Sequence, residues 1–460
     1  MSDFIQQLIG FFVLIFLARK LNPDGYGLFN VIISIATIFG VLSQFGTSNV
    51  ITRELSLNPE TTDSFIKKII LPFRIVSFVF AVICFLIYNY IDFSVDHSLS
   101  LYVILIILNL SLWNSSESIA FGHEVTKYSS ILNIFFSITW FISIIIIPEK
   151  LLDISLVLIV FCLLHFIRAA TYIIIVYQKF YLSSISNLKK LEINFLSFFK
   201  MSIPYVWLLL IFTLSNQLPV LLLNNHSSLE EVAFYAIGFK LMIPISIAVG
   251  TLFKAVFPSL TRLFSENKSD FEAKILMGFN IIFVFGTMAA IITSITSEYW
   301  LPFLFGSEYY NAILVFDLLI WFSVITIVDT LLSNALSSAY KERVLAILST
   351  IDFLIILPIF YIVSKYGAWG IAISKLLTGF IFLIFHLFVF AWVLNLKLFN
   401  KNLFVILSFY FLSMGICLLI DNIIFQLSSV CVLILFFLLI KNSPFKVTFD
   451  LSKKIIKNLQ

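Results

Sequence analysis

Seven ionisable side chains stand where the sequence is otherwise apolar: the cations Arg168, Lys240 and Lys375, and the acids Glu117, Asp317, Asp329 and Asp352. At the centre of a membrane-spanning helix such a group costs about 2.5–3.5 kcal/mol on insertion scales, so it faces an interior cavity or a partner. A guanidinium fork matches phosphate oxygens, which makes Arg168, with Lys240 and Lys375, a candidate for binding an anionic headgroup. His165 lies one helical turn before Arg168 and shares its face. The four acids are candidates for holding a coupling proton or cation, since a buried carboxylate is readily poised to titrate. Structural pairing is the competing account. Lys240 has Asp317 or Asp329 as possible counterions, Asp352 is expected within two turns of its helix end, and any of the acids would serve as glue between lobes. His386 has no acid at ligand spacing and reads as a packed, satisfied histidine. No Ser/His/Asp, HExxH or nucleotide-binding pattern is present, so no chemistry on ATP and no cofactor is expected. Cys84, Cys162, Cys417 and Cys431 show neither zinc-ligand nor disulfide spacing.

The elements that hold these residues follow from composition. Of 460 residues, 61% are hydrophobic and 12% charged, and the mean hydropathy is +1.07. Soluble proteins average about 45–50% apolar and about 25% charged, so a water-soluble fold is excluded. The net charge of +4 is small and its cations are scattered through short connectors, which sets nucleic acid aside as a partner. Apolar runs of about 20 residues mark helices, whereas membrane strands alternate over about ten. The fold class is therefore an all-α integral membrane protein of about 14 transmembrane helices. They are expected near 4–18, 27–47, 70–91, 99–121, 129–147, 154–177, 201–223, 232–256, 275–296, 311–338, 345–364, 368–394, 403–420 and 423–440. No basic region or cleavage site precedes the first run, which reads as a short span and not a signal peptide. With this count, 22 of the 29 Lys and Arg residues fall on the side of the N-terminus, 4 on the other side and three inside spans. Cytoplasmic connectors carry such an excess, so both termini are expected in the cytoplasm.

The spans group into an N-terminal lobe, 1–178, a cytoplasmic linker, 179–200, a C-terminal lobe, 201–394, an additional helix pair, 395–441, and a basic tail, 442–460. That tail suits either a helix lying on anionic headgroups or a solvated end. The linker and the stretch 257–274 are the longest connectors, too short for an extramembrane catalytic domain. An internal repeat supports two lobes. At an offset of 206 residues, Asn22 meets Ser228, Asp24 meets Glu230, Gly27 meets Ala233 and Phe29 meets Tyr235. Each copy supplies a helix cap, acids in the first turn and a small residue for close packing, although shared capping chemistry also arises by chance. Two six-helix lobes in pseudo-two-fold repeat are a transporter architecture, with a site near the bilayer midplane. Prolines 204, 219, 244, 258, 302 and 358 lie in or beside spans and offer bending points. Glu298–Gly306 is expected as an interfacial turn, with Tyr299, Trp300, Tyr309 and Tyr310 in the aromatic belt.

Several of these segments resemble a known family. Ala18-Arg-Lys-Leu-Asn-Pro-Asp-Gly-Tyr-Gly-Leu-Phe29 is similar to the opening signature of the polysaccharide biosynthesis flippases, with Asn22 where that family usually has Gly. Gly46 followed by Asn49-Val-Ile-Thr-Arg-Glu54 resembles the end of its second span. Leu229-Glu-Glu-Val-Ala-Phe-Tyr235 with Lys240 resembles its second-lobe turn, Ala233 replacing Gly. Pro258-Ser-Leu and Phe305-Gly-Ser-Glu-Tyr309 resemble its exit from span eight and its outer turn. Asn216-Gln217 stands where the family often carries an Asp. The resemblance implies the multidrug/oligosaccharidyl-lipid/polysaccharide exporter fold in the bacterial inner membrane. It implies a flippase for an undecaprenyl-pyrophosphate-linked oligosaccharide, an O-antigen repeat unit for example, and no enzyme. It also implies membrane lipids and the polymerase and chain-length proteins of the same pathway as partners, and a cationic cavity for which Arg168, Lys240 and Lys375 are candidates. A multidrug and toxin extrusion antiporter of the same fold, which would favour an acidic cavity, is the nearest alternative. A membrane polymerase or glycosyltransferase is a further one, but the long outer loop of those enzymes is missing.

Overall fold

The computed structural model describes residues 2–92, 97–148, 153–176, 178, 194–396, 401–420 and 422–439. The linker over 179–193 and the tail over 442–460 lie outside them. Among the described residues all regular structure is helical: α1 (Ser2–Gln44), α2 (Thr47–Leu57), α3 (Thr62–Phe65), α4 (Leu71–Asp92), α5 (His97–Gly122), α6 (Thr126–Ile146), α7 (Ile154–Val176), α8 (Phe195–His226), α9 (Leu229–Glu266), α10 (Lys268–Phe305), α11 (Ala312–Ser338), α12 (Glu342–Val363), α13 (Gly367–Leu394), α14 (Lys401–Leu419) and α15 (Ile423–Leu439). Ten stretches are long and apolar enough to cross a bilayer; one of them, Glu342–Leu394, contains both α12 and α13. Another, Ile5–Gln44, is two helices joined at Asn22. With α9 and the shorter apolar α15, a helix stands at each of the fourteen expected positions. On α4 the residues Ile75, Val76, Val79, Phe80, Ile83 and Ile87 are exposed while Phe73, Ala81 and Phe85 are buried, the pattern of a helix with one face solvated by lipid.

Internal contacts divide the chain into two units, Met1–Ala236 with Phe360–Gly367, and Ile237–Ile359 with Ala368–Gln460. In the first unit the helical path breaks at Asn22 (φ 53°, ψ 176°), where Pro23 opens the next helix and the Asn22 side chain caps it by accepting from Gly25 N at 3.3 Å. The first span therefore runs from Ser2 to Leu21 and is not short. Its penultimate residue, Lys20, places Nζ within 2.7 Å of the Ile144 and Ile147 carbonyls at the end of α6, satisfying acceptors that the helix leaves unpaired. The two copies of the repeat touch: a Cβ at Gly27 would lie 2.0 Å from the Leu229 carbonyl oxygen. At the far end of α1, Arg74 donates to the Ser43 and Gln44 carbonyls at 3.0 and 2.8 Å. Gly46 there has φ +62° and sits against the α8 backbone at Tyr205 and Val206. Around this corner Val50, Ile51, Phe65, Phe73, Ile119 and Phe198 form a buried apolar cluster.

In the second unit, α10 and α11 approach closely where Gly278 faces Leu331 and Gly286 faces Val324. Trp321 is fully buried, and its carbonyl accepts from the Tyr410 hydroxyl of α14 at 2.7 Å. Three sequence expectations need correction. The long connector at 257–274 is helical except around Asn267, whose side chain caps α10 by accepting from Ser269 N and Asp270 N. The turn expected at Glu298–Gly306 is helix through Phe305 and breaks only at Gly306 (φ 107°), because Pro302 is tolerated within that helix. Tyr299 and Tyr310 are exposed as an aromatic belt requires, but Tyr309 is buried against Phe305.

Candidate functional site

In the first unit, α5, α6 and α7 each contribute polar residues one turn apart: Trp113 and Glu117, Ser129 and Asn133, Arg168 and Tyr172. Residues four apart share a helix face, so the three pairs converge. Glu117 Oε1 accepts from Ser129 at 2.5 Å, from Asn133 Nδ2 at 2.9 Å and from the Tyr172 hydroxyl at 3.3 Å. Arg168 Nη2 donates to Asn133 Oδ1, which also accepts from Tyr172 at 3.0 Å. Glu117 and Arg168 are thus joined through Asn133. The Arg168 guanidinium lies flat on Trp113, its carbon 3.5 Å from the ring centroid, an arrangement worth up to about 2 kcal/mol when desolvated.

This network leaves Arg168 incompletely satisfied. The residue is only 8% exposed, yet its Nε has no hydrogen-bond partner, nor does the buried Nε1 of Trp113 beneath it. Beside them is a cavity of about 180 Å³ lined by Phe136, Ser137, Trp140, Leu164, His165 and Arg168. His165 packs its ring 4.2 Å from that of Phe161 and shares the cavity wall with Arg168, as their spacing requires. Both unpaired nitrogens are buried, and Trp113 stands outside the lining. What faces the cavity is one guanidinium, an imidazole, a small hydroxyl and two aromatic side chains, a lining that suits an oxygen-rich, anionic or sugar-like group.

The remaining candidates lie in the second unit. Lys375 is buried, with Nζ 5.0 Å from the Phe239 ring and 5.7 Å from the Phe322 ring. Lys240, half-buried on α9, follows Phe239 directly. Asp317 has a buried Oδ1 without a hydrogen bond, among the hydroxyls of Ser294 and Ser297. Asp329 pairs with His386, Nδ1 to Oδ1 at 2.6 Å, rather than with Lys240. Asp352 lies mid-way along α12, not near its end, and meets the other ring nitrogen of His386, Nε2 to Oδ2 at 3.0 Å. His386 is therefore packed and satisfied, but by two acids that its sequence neighbours give no hint of. Among the described residues no group of three or more His, Cys, Asp or Glu is arranged to hold a metal ion.

Sequence reasoning missed Trp113, Ser129, Asn133 and Tyr172. The signal available was the recurrence of polar pairs four residues apart in three neighbouring spans. Neutral residues raise no alarm in an apolar run, so only Glu117 and Arg168 stood out.

Fold and site together define a multi-pass helical membrane protein with a polar cluster buried among the spans of its first unit. Similar solved structures have that fold. A lipid II flippase, MurJ, in an inward closed conformation matches with a TM-score of 0.66 at 16% identity, over 94% of this chain and 95% of its own. An inward-facing multidrug resistance transporter of the MATE family, in the MOP superfamily, matches with a TM-score of 0.60 at 15% identity, over 85% and 95%. A Shigella flexneri protein provisionally named an O-antigen transporter is 24% identical over 405 residues, 80% of this chain and 90% of that protein. The chain belongs to the polysaccharide biosynthesis protein family, whose pattern matches residues 1–264.

Proposed function

We propose that this protein is a flippase that carries undecaprenyl-pyrophosphate-linked oligosaccharide repeat units, the precursors of O-antigen or another surface polysaccharide, from the inner to the outer leaflet of a bacterial cytoplasmic membrane. The observation that carries this reading is the buried, stacked and partly unsatisfied Arg168 beside an aromatic-lined cavity. A guanidinium held flat by Trp113 presents its edge donors to a pyrophosphate or an acidic sugar, while Phe136 and Trp140 offer faces on which pyranose rings stack. The polyprenyl tail has no need of a cavity, since apolar helix faces such as that of α4 leave it in lipid. Family membership and the names of the similar proteins point the same way. Both termini are assigned to the cytoplasm from the 22 to 4 distribution of cations. The six-span lobes at 1–178 and 201–394 are kept as the repeat units that alternate access. Polymerase and chain-length proteins are the partners that would receive the product.

The test is lipid extraction and mass spectrometry in the native host with the gene deleted and then restored. Complete lipid-linked repeat units are expected to accumulate in the deletion, with surface polymer lost. Wild type restores both and Arg168→Ala does not. Normal lipid intermediates with intact polymer in the deletion strain contradict the reading. The intramembrane acids would then favour a cation-coupled drug antiporter of the same fold, and efflux assays would follow.

A further inference from the structure

The walls of the cavity beside Arg168 are fixed in direction. Phe136 and Trp140 lie one turn apart on α6 and both line it. Phe161 of α7 props two of the lining rings: it meets Trp140 edge-on, centroids 5.3 Å apart, and lies 4.2 Å from His165. Ser137 Oγ donates its proton to the Asn133 carbonyl at 2.8 Å, so toward the cavity this hydroxyl can only accept. Arg168 Nη2 is committed to Asn133 Oδ1, and the rest of the guanidinium can only donate. A ligand that satisfies both side chains must donate and accept at once. Behind them, outside the lining, stands Glu117. Its Oε1 accepts from Ser129, Asn133 and Tyr172, the part a carboxylate plays, and Asn133 bridges it to Arg168. The charge of Arg168 is thus balanced within the network before any ligand arrives.

Of the groups this lining suits, we propose that the cavity holds a single sugar ring of the oligosaccharide, and that Glu117 determines this specificity by excluding the pyrophosphate; the assignment rests on the flippase reading. A pyranose fits on three counts. Its hydroxyls donate to Ser137 and accept from Arg168. Its carbon-bound hydrogens present an apolar, weakly positive face to Phe136 and Trp140, whose ring faces are negative. A volume of about 180 Å³ falls below the pockets of about 300–1,000 Å³ that take drug-sized ligands, which suits one ring. An ionised pyrophosphate only accepts, so Ser137 would face another acceptor. The aromatic faces repel it, and beside an Arg168 already balanced by Glu117 it would bury uncompensated charge.

The full chain in lipid nanodiscs is examined by saturation-transfer difference NMR with free glucose, galactose, N-acetylglucosamine or glucuronic acid. Each sugar is tested alone and against inorganic pyrophosphate at constant ionic strength. At least one is expected to take up saturation on its ring protons from wild type and to lose it with Trp140→Ala. Ser137→Ala removes the acceptor and is expected to weaken that sugar by up to about tenfold, the worth of one hydrogen bond. Pyrophosphate is expected to leave the wild-type signal unchanged and to suppress it in Glu117→Gln, whose amide keeps an oxygen for the three donors but lacks the charge. If no sugar gives a signal that Trp140→Ala removes, the subsite is overturned. Suppression by pyrophosphate in wild type, or resistance to it in Glu117→Gln, overturns the role of Glu117, and the wild-type result stands even where that variant does not fold. The lipid analysis in the native host judges the flippase reading by a separate readout, so the two fail independently.

Discussion

At the residue scale the central group is Arg168, and its environment distinguishes charge from shape. Arg168→Lys keeps the cation but loses both the planar stack on Trp113 and the fork that reaches Asn133. It is expected to fail in restoring surface polymer nearly as fully as Arg168→Ala, whereas a site needing charge alone would be rescued; complementation of the deletion strain reads the difference. Asn22 gives a second test. Its φ of 53° with ψ of 176° lies where side chains cost about 1–3 kcal/mol, and its cap is worth only a few tenths more than glycine's. Asn22→Gly is expected to raise the thermal unfolding midpoint in detergent and Asn22→Val to lower it. Both positions were legible in part. Arg168 stood out as a charge in an apolar run, and Asn22 as a departure from a resembling motif. Trp113, Asn133 and Tyr172 were not legible, because what makes them a site is the convergence of three helices separated by up to 59 positions, from Trp113 to Tyr172. His386 is packed and satisfied as its sequence suggests, but the partners that satisfy it were hidden for the same reason, its acids lying 57 and 34 residues away.

At the scale of elements, hydrophobicity located every long apolar helix, because each apolar run must satisfy its own backbone within the bilayer, but it gave no sign of α2 and α3 in the connector before α4. It was less informative about helix ends. α8, α9 and α10 extend past the apolar runs through mixed segments, stabilised by caps such as the mutual Asn194 and Ser197 bonds at the start of α8. Composition also understates close approach, which the glycines fix. Gly27 brings the first repeat turn against the second, with the Leu229 carbonyl 2.0 Å from where a Cβ would lie. Gly27→Ala forces these helices apart and is expected to cost at least about 1–3 kcal/mol, seen as a lower unfolding midpoint and reduced yield. Gly250, which meets nothing within 4 Å, is the control whose alanine variant is expected to be neutral in packing.

For the whole molecule, sidedness and substrate are the quantities that decide function. In a chain without its native cysteines, Tyr366→Cys is expected to react with an impermeant maleimide added to intact cells. Ser265→Cys is expected to react only after permeabilisation, because exposed Tyr366 and Ser265 fall on opposite sides of the cation distribution. The reverse pattern would invert the orientation. The most direct test of the flippase itself uses purified protein in proteoliposomes loaded with a polyprenyl-diphosphate-linked oligosaccharide, with external lectin or glycosidase reporting how much reaches the outer leaflet. The account predicts that wild type exposes nearly all of the pool while Arg168→Ala matches protein-free vesicles at about half. Wild type that exposes no more than protein-free vesicles would contradict it.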